Sequence, residues 1–251
     1  MAAISEAQRQ RYKRNILITE LGEKGQKKLL KSSVLIVGAG GLGSPAAYYL
    51  AAAGIGHIGL VDDDSVDLSN LQRQILHTTA DLGRPKVLSA RDKLEKLNPE
   101  LRITSYHHRL TTENIKQIIS QYNIVVDATD NFETRYLINE TCLNLSKPFV
   151  HGGVLGLVGQ VTTFWPGRGP CYTCLFREPP SKSVPTAAEL GILGAVAGII
   201  GTIQAVEVVK AITGVGTLLI GRMLMLDAAS MSFQEIKIEK DPDCLACTNK
   251  N

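Results

Sequence analysis

The stretch Val34 to Gln74, VLIVGAGGLGSPAAYYLAAAGIGHIGLVDDDSVDLSNLQRQ, decides how the rest of the chain is read. It opens with a short run, Val34 to Val37, that reads as a buried strand. Gly38-Ala39-Gly40-Gly41-Leu42-Gly43 comes next, a G-x-G-x-x-G pattern between that strand and a helix expected from Leu42 to Ala53. Glycines there let the backbone turn tightly and approach a phosphate or ribose, and the helix N-terminus favours an anion. His57 to Val61 reads as a second strand, ending at Asp62, 62 − 43 = 19 residues past the last glycine. An acid at that place accepts both ribose hydroxyls, so the stretch predicts an adenosine site.

The glycine pattern alone is compatible with a nicotinamide dinucleotide, and an NAD-dependent oxidoreductase is one alternative. The residues beyond the second strand favour another ligand. Asn70, Arg73 and Lys86 lie on the edge of the expected sheet where phosphates would extend. Asp130, in VVDATDN, falls just past a fourth strand, where ligands of open α/β sheets gather. A triphosphate carries about four charges and needs cations and a metal for pyrophosphate to leave, and a carboxylate at 130 can hold Mg²⁺ against phosphate oxygens. Singly, Arg73 and Lys86 read as well as surface charges, and Asp130 as a helix N-cap. Their joint placement predicts ATP.

Working outward, the fold class is α/β, with a Rossmann-like nucleotide-binding sheet. A helix starting at Pro85 and running to Asn98, a strand over Leu101 to Tyr106, a Thr-capped helix over Thr112 to Ser120 and a strand over Ile124 to Ala128 continue the alternation that implies parallel pairing. A helix is expected from Glu133 to Leu145. Beyond it, GGVLGLVGQVTTFWP alternates like antiparallel strands, and Leu218 to Leu226 and Met231 to Ile238 look like two more. The expected organisation is one domain over 1–251: a helical arm at 1–31, a nucleotide-binding half at 32–146 and a mixed-sheet half at 147–251. Arg177 to Glu189, rich in Pro and Ser, is a candidate mobile loop. Ile192 to Ile212 is helix-length and apolar on nearly every face, so it belongs to the core or to a subunit interface.

The 251 residues are 44% hydrophobic, enough for a sizeable core, and the net charge of +3 is spread along the chain, which does not suggest nucleic acid. The apolar run Gly191 to Ile203 is too short for a bilayer and is followed by Gln204, Glu207 and Lys210, so no membrane is expected. The start, MAAISEAQRQRYKRNI, lacks the apolar centre of a signal peptide, and a cytoplasmic protein is expected.

Five cysteines do not suit a disulfide framework. Cys171 with Cys174 and Cys244 with Cys247 form two C-x-x-C pairs that together supply four thiolates, the set that closes a structural Zn²⁺ site. Cys142 reads as a small core residue. His57, His77, His107, His108 and His151 have no ligand spacing and read as structural or exposed.

GxGGLGS, DxDxVDLSNLQRQ, GRPKV, DATDN and the two C-x-x-C pairs together resemble the MoeB/ThiF/HesA group, small relatives of ubiquitin-activating enzymes. The resemblance runs from RYKRNI to CLAC. It implies ATP-dependent adenylation of the C-terminal glycine of a small ubiquitin-like sulfur-carrier protein ending in Gly-Gly, with pyrophosphate released. It implies nucleotide contacts from Gly38, Gly40, Gly41, Gly43, Asp62, Asp64, Ser69, Asn70, Arg73, Lys86, Asp130 and Asn131. Arg14, Arg73, Lys86 and Asp130 would be catalytic, with Asp130 on Mg²⁺, and Cys171, Cys174, Cys244 and Cys247 would hold Zn²⁺. Arg14, in RYKRNI, matches an arginine that reaches the nucleotide of the opposite subunit in a homodimer. Attack by a carboxylate needs alignment and charge neutralisation rather than a general base, in keeping with the lack of a Ser/His/Asp or Cys/His arrangement.

One departure stands out. Many members carry a cysteine in a context like P-S-C-A-E-x-G, and here the matching residues are Pro185-Thr186-Ala187-Ala188-Glu189-Leu190-Gly191. Without a thiol at Ala187 no covalent link to the carrier forms there, which points away from a thiamin-type protein and towards a molybdopterin-type or multi-purpose one. The chain ends soon after Cys247, so a separate sulfur donor is expected. Adenylation of another peptide C-terminus, and a non-catalytic module that recognises a ubiquitin-like partner, are the other readings.

Overall fold

The computed structural model describes residues 4–179 and 187–248. Three short helices, α1 (Glu6–Arg11), α2 (Lys13–Ile16) and α3 (Gly22–Lys31), form the arm and lead into β1 (Ser33–Val37). Ser5 and Gln8 start the arm with a capping box, each side chain taking the other residue's backbone N–H. Then come α4 (Gly43–Ala53), β2 (His57–Val61), α5 (Lys86–Leu97), β3 (Arg102–Tyr106), α6 (Ile115–Ser120), β4 (Ile124–Asp127) and α7 (Phe132–Asn144). The second half holds β5 (Phe149–Leu155), β6 (Val158–Phe164), α8 (Tyr172–Leu175), α9 (Ala187–Leu190), α10 (Gly194–Thr213), β7 (Arg222–Asp227) and β8 (Ser232–Lys237).

The eight strands make one sheet in the order β3-β2-β1-β4-β5-β6-β7-β8. Pairing is parallel from β3 to β5 and antiparallel from β5 to β8, the mixed sheet expected. Both faces of its parallel centre are covered, which is why β1, β2 and β4 are mostly apolar and buried, whereas β3 at the edge is polar and half-exposed. Val34 and Ile36 join a core with Leu50, Ile58, Val126 and Ile200, while Leu35 and Val37 face the other way into Ile119, Val125, Ile138 and Phe149. The chain leaves β1 towards β2 and β3, then returns to the other side of β1 as β4. That reversal opens a crevice at the C-terminal ends of β1 and β4.

Several elements start later than the sequence suggests. Pro85 is the residue before α5 rather than its first residue, because it pairs with Ser65 while Lys86 N–H donates to Asp64 O, keeping it extended. The helix expected from Thr112 begins at Ile115 and has no Thr cap. Asn114 instead bonds back to Thr111 N and Arg109 O and holds a turn there. α10 begins at Gly194 because Ile192 bridges to Gly156 and Leu193 N–H donates to Gly156 O. Most of the candidate mobile loop, 180–186, and with it Pro185 and Thr186, lies outside the described residues. Before it, Arg177 pairs with Asp241 at 2.8 Å.

By length and composition α10 would suit a membrane, but it packs on α4, β5 and β6. Its Glu207 is buried, accepting from Thr163 Oγ1 at 2.5 Å and Leu219 N at 2.8 Å and pairing with Lys210. Buried charge with these partners is the mark of a core helix.

Candidate functional site: a nucleotide crevice and a four-cysteine cluster

The glycine turn fills the head of the crevice. Gly38 has φ +97°, and a Cβ there would lie 2.6 Å from Ala128 O, so only glycine permits this approach of the β1 and β4 ends. A Cβ on Gly43 would meet Gly38 O at 1.9 Å, which closes the turn onto the first residue of α4. Gly41 faces Arg73 and Ala197 of α10, and Gly40 faces Gln74.

Asp62, at the end of β2, is tied to the same turn. Its carboxylate accepts from Ala39 N at 2.7 Å and Asp64 N at 2.9 Å. Burial pushes its pKa up, partly opposed by the Lys86 charge. Each oxygen keeps a lone pair, so two hydroxyls can still be accepted. His77 braces the turn from behind. Ala39 O can only accept, so His77 Nε2–H donates to it at 2.9 Å, and bare Nδ1 accepts from Ser89 Oγ at 2.9 Å. Burial lowers the His77 pKa, consistent with this neutral tautomer.

The cations stand beside the turn. Lys86 is 4% exposed, and its Nζ donates to Asp64 Oδ2 at 2.7 Å. This is no solvated surface lysine. Arg73 is half-buried and fixed by its own neighbours, donating to Asn70 Oδ1 at 3.1 Å and Ser69 O at 3.2 Å. Asn70 Oδ1 also takes Gln74 Nε2 at 2.9 Å, and Asp67 caps the short turn that carries Ser69 and Asn70. Asp62, Asp64, Asn70, Arg73 and Lys86 therefore come together around the glycines.

Asp130 is exposed just beyond β4, with no hydrogen-bond or ion-pair partner among the described residues. It is not the cap of α7. Asn131 is, accepting from Thr134 N at 2.9 Å, which commits its side-chain oxygen. An unpaired carboxylate at the sheet's C-terminal edge fits Mg²⁺, which is commonly held by one or two carboxylates together with substrate phosphates. Asp62, Asp63 and Asp64 also lie close together, but Asp64 is engaged by Lys86 and Asp62 by amides.

Arg14 is exposed on α2, away from this crevice. Its neighbour Asn15 donates to Ala53 O at 3.4 Å, and the Tyr12 hydroxyl oxygen accepts at 2.9 Å from Asn98 Nδ2, which also donates to Ala51 O, so the arm packs at the C-terminal end of α4. The glycine turn lies at the other end of that 11-residue helix, about 16 Å off at 1.5 Å per residue. Ala187 begins α9.

Cys171, Cys174, Cys244 and Cys247 come together from α8 and the C-terminal tail. Three of their sulfur pairs are 3.6–3.7 Å apart, and all four sulfurs lie within 4.8 Å of one another. A tetrahedron of Zn–S bonds of 2.3 Å puts sulfurs about 3.8 Å apart, so the set fits Zn²⁺. Cys142 is fully buried in α7 and takes no part. A cavity of about 300 Å³ beside the cysteines is lined by Phe149, Phe164, Trp165 and Cys171. The charged groups converge at the glycine turn and not at this cavity.

Beneath Asp130 lies a group the sequence reading missed. Asp127 and His151, both fully buried, face each other across β4 and β5 with Oδ2 and Nδ1 2.7 Å apart. No spacing motif links them.

The model of the ThiF family matches residues 12–246. The sulfur carrier protein adenylyltransferase of Thermus thermophilus is 44% identical over 243 residues, 94% of this chain and 90% of that protein. The adenylyltransferase and sulfurtransferase MOCS3 of Culex quinquefasciatus is 49% identical over 241 residues, 95% of this chain. The chain spans about half the length of that relative, 55%. Among solved structures, Escherichia coli MccB with ATP superposes with a TM-score of 0.84 at 24% identity, over 94% of this chain and 73% of that one, a likeness of fold. With the family's model matched over nearly its whole length, on a sheet and glycine turn of this kind, the chain belongs to the ThiF family.

Proposed function

We propose that the protein is an adenylyltransferase that uses ATP to activate the C-terminal glycine of a small ubiquitin-like sulfur-carrier protein ending in Gly-Gly. The observation that carries this reading is the buried Lys86 ammonium beside Asp62 at the glycine turn, with an unpaired Asp130 across the crevice. The Thermus thermophilus relative, named for this activity and matched over most of its length, supports it.

In this reading Asp62 accepts the ribose hydroxyls and the turn from Gly38 to Gly43 lets the phosphates approach the backbone. Asn70, Arg73 and Lys86 neutralise the phosphate charge, with Ser69 and Asp64 shaping that edge and Asn131 fixing the start of α7. The carrier's terminal carboxylate oxygen bonds to the α-phosphorus as the bond to the bridging oxygen breaks, giving acyl-adenylate and pyrophosphate. No proton moves, so no general base is needed. Asp130 would hold Mg²⁺, which supplies charge neutralisation to the leaving pyrophosphate. The four cysteines would hold a structural Zn²⁺ that ties the tail to α8.

Arg14 serves a nucleotide only from another copy, since its own arm lies at the far end of α4, so we propose a homodimer in which each arm reaches the partner's crevice. The sulfur of a separate donor protein would then bond to the acyl carbon as the bond to AMP breaks, the first step toward a thiocarboxylate. The reduced thiol cluster suits the cytoplasm. The test is ATP–pyrophosphate exchange with Mg²⁺ and candidate Gly-Gly carriers. Exchange with one carrier, lost when its last glycine is deleted and when Asp130 becomes Ala, is expected; exchange at the wild-type rate by Asp130→Ala sinks the reading.

A further inference from the structure

Asp130 has no partner of its own, yet the residue before it is held at every polar atom. Thr129 N–H and Oγ1–H both donate to Asp127 Oδ1, at 3.1 and 2.7 Å, and Thr129 O accepts from Arg135 Nη2 at 2.7 Å. The residue after it, Asn131, is fixed as the cap of α7. The carboxylate of Asp130 therefore projects from a peptide whose two flanks are pinned.

What pins Thr129 is Asp127, and Asp127 is itself held from all sides. His151 Nδ1 meets its Oδ2 at 2.7 Å, and Arg135 Nε stands 4.0 Å off. Its backbone carbonyl accepts from Gln204 Nε2 of α10 at 2.8 Å, the same amide reaching Val150 O at 3.1 Å. Gln160 of β6 points its side-chain amide at His151 Nε2 across 3.3 Å. That amide N–H can only donate, so Nε2 is the bare acceptor and Nδ1 carries the proton given to Asp127. Burial lowers the His151 pKa, more than Asp127 raises it, so the ring is neutral. Burial pushes the Asp127 carboxyl up, but the His151 and Arg135 contacts outweigh it and keep the group ionised.

A buried network of this kind is weak evidence for stability, because well-packed apolar residues often serve as well. Its distinctive product is geometry. Asp127 and His151 are register partners on adjacent parallel strands, and Arg135, Gln160 and Gln204 reach them from three further elements. These contacts converge on the Asp127–His151 pair, and the Asp127 carboxylate, with Arg135, passes them on to Thr129, the residue next to Asp130.

We propose that Asp127 and His151 are positioning residues that preset the Asp130 carboxylate for the metal of the nucleotide complex. This rests on the reading of Asp130 as the Mg²⁺ ligand. Outer partners of a metal ligand act in this way elsewhere, orienting it without touching the ion.

Four variants test it in the full chain, with Mg²⁺-dependent ATP binding followed by calorimetry and thermal unfolding measured alongside. His151→Leu removes the donor to Asp127, whereas His151→Asn returns an amide N–H near the place of Nδ1. Thr129→Val removes the hydroxyl bond at nearly constant volume, and Thr129→Ser keeps it. His151→Leu and Thr129→Val are expected to raise the Mg²⁺ concentration for half-maximal binding about 10-fold, with the Asn and Ser variants within about 3-fold of wild type. If His151→Leu does not fold, the Thr129 pair carries the test. Folded variants that differ in melting temperature and share the wild-type Mg²⁺ curve overturn the proposal and leave the network a purely structural one. Asp130→Ala separates the two ideas. An unshifted curve for it refutes the metal assignment, whereas a shift there with none in His151→Leu or Thr129→Val refutes only the positioning role.

Discussion

Replacing Lys86 by Met tests the electrostatic core of the proposed reaction. The ammonium is 4% exposed, and Met keeps a stem of similar length in the same slot. A unit charge about 4 Å from a phosphate oxygen, at the effective dielectric of ~20 suited to protein sites, interacts by about 4 kcal/mol. At a factor of ten per 1.36 kcal/mol, kcat/KM for ATP is expected to fall about 10³-fold. Stability changes far less. Lys86 pairs with Asp64, whose side chain is 67% exposed and finds water once the lysine is gone. Such a pair contributes less than about 1 kcal/mol, so the melting temperature moves by no more than about 4 °C. The assay is carrier-dependent ATP–pyrophosphate exchange over a range of ATP concentrations, with thermal unfolding of the same samples. A loss below about 10-fold in a protein of unchanged melting temperature would refute the reasoning, since Lys86 would then do little beyond pairing with Asp64.

Three further outcomes are expected. Cys171→Ser should lower bound zinc, read by elemental analysis, and destabilise the protein by several kcal/mol; a variant with full zinc content and unchanged stability would contradict the four-sulfur site. Asp81 accepts from Thr78 N and Oγ1 and pairs with Arg84 and Lys93; burial alone would push its carboxyl up, yet these contacts hold it far below the usual range. Because the folded pKa is depressed, its contribution is present at neutral pH and is lost as pH falls below about 4, so Asp81→Asn should be less stable at pH 7 and lose stability less steeply in acid; parallel acid slopes in urea unfolding would contradict this. Cys142 is fully buried and its thiol is pushed up, first by burial, so it should stay unalkylated by iodoacetamide until the protein unfolds; labelling at native conditions, read by mass spectrometry, would count against the packing described.

The parts of this fold that were legible in the sequence are those written in contiguous residues. A glycine turn needs its glycines adjacent, so Gly38 to Gly43 announced both the turn and the strand and helix on either side. The C-x-x-C pairs were legible for a related reason, since each half fits one short turn and only their meeting across the fold had to be inferred. The start of α6 was misread because Asn114 bonds back to Thr111 and Arg109, a local contest between side chain and helix that propensity does not resolve. Asp130 and Asn131 are both good caps by type, and only the backbone path out of β4 gives the role to Asn131 and leaves Asp130 free. The Asp127–His151 pair had no signal at all. Its members are 24 positions apart, Gln204 is 77 positions from Asp127, and they meet only through the register of β4 on β5 and the packing of α10.

That packing also bears on which nucleotide the crevice suits. A dinucleotide fold repeats its mononucleotide half, so a second ligand half lies over the C-terminal ends of further parallel strands beyond the switch point. Here the parallel order stops at β5, which runs past the end of β4 and turns through Gly156 into antiparallel β6. The first turn of α10 packs onto the segment that carries Arg73: a Cβ on its Gly194 would meet Gln72 O at 2.4 Å, and Ala197 lies against Gly41. Beyond β4 a nicotinamide half would find only β5, which runs on past the crevice into the antiparallel hairpin. Beside the glycines, past the short turn at Leu68–Asn70, Arg73 and Lys86 offer cations to phosphates extended from a ribose on Asp62. One nucleoside seat, cations beside it and a free carboxylate opposite form an arrangement suited to a mononucleotide triphosphate, and it follows from ending the parallel sheet at β5 as much as from the residues in the motif.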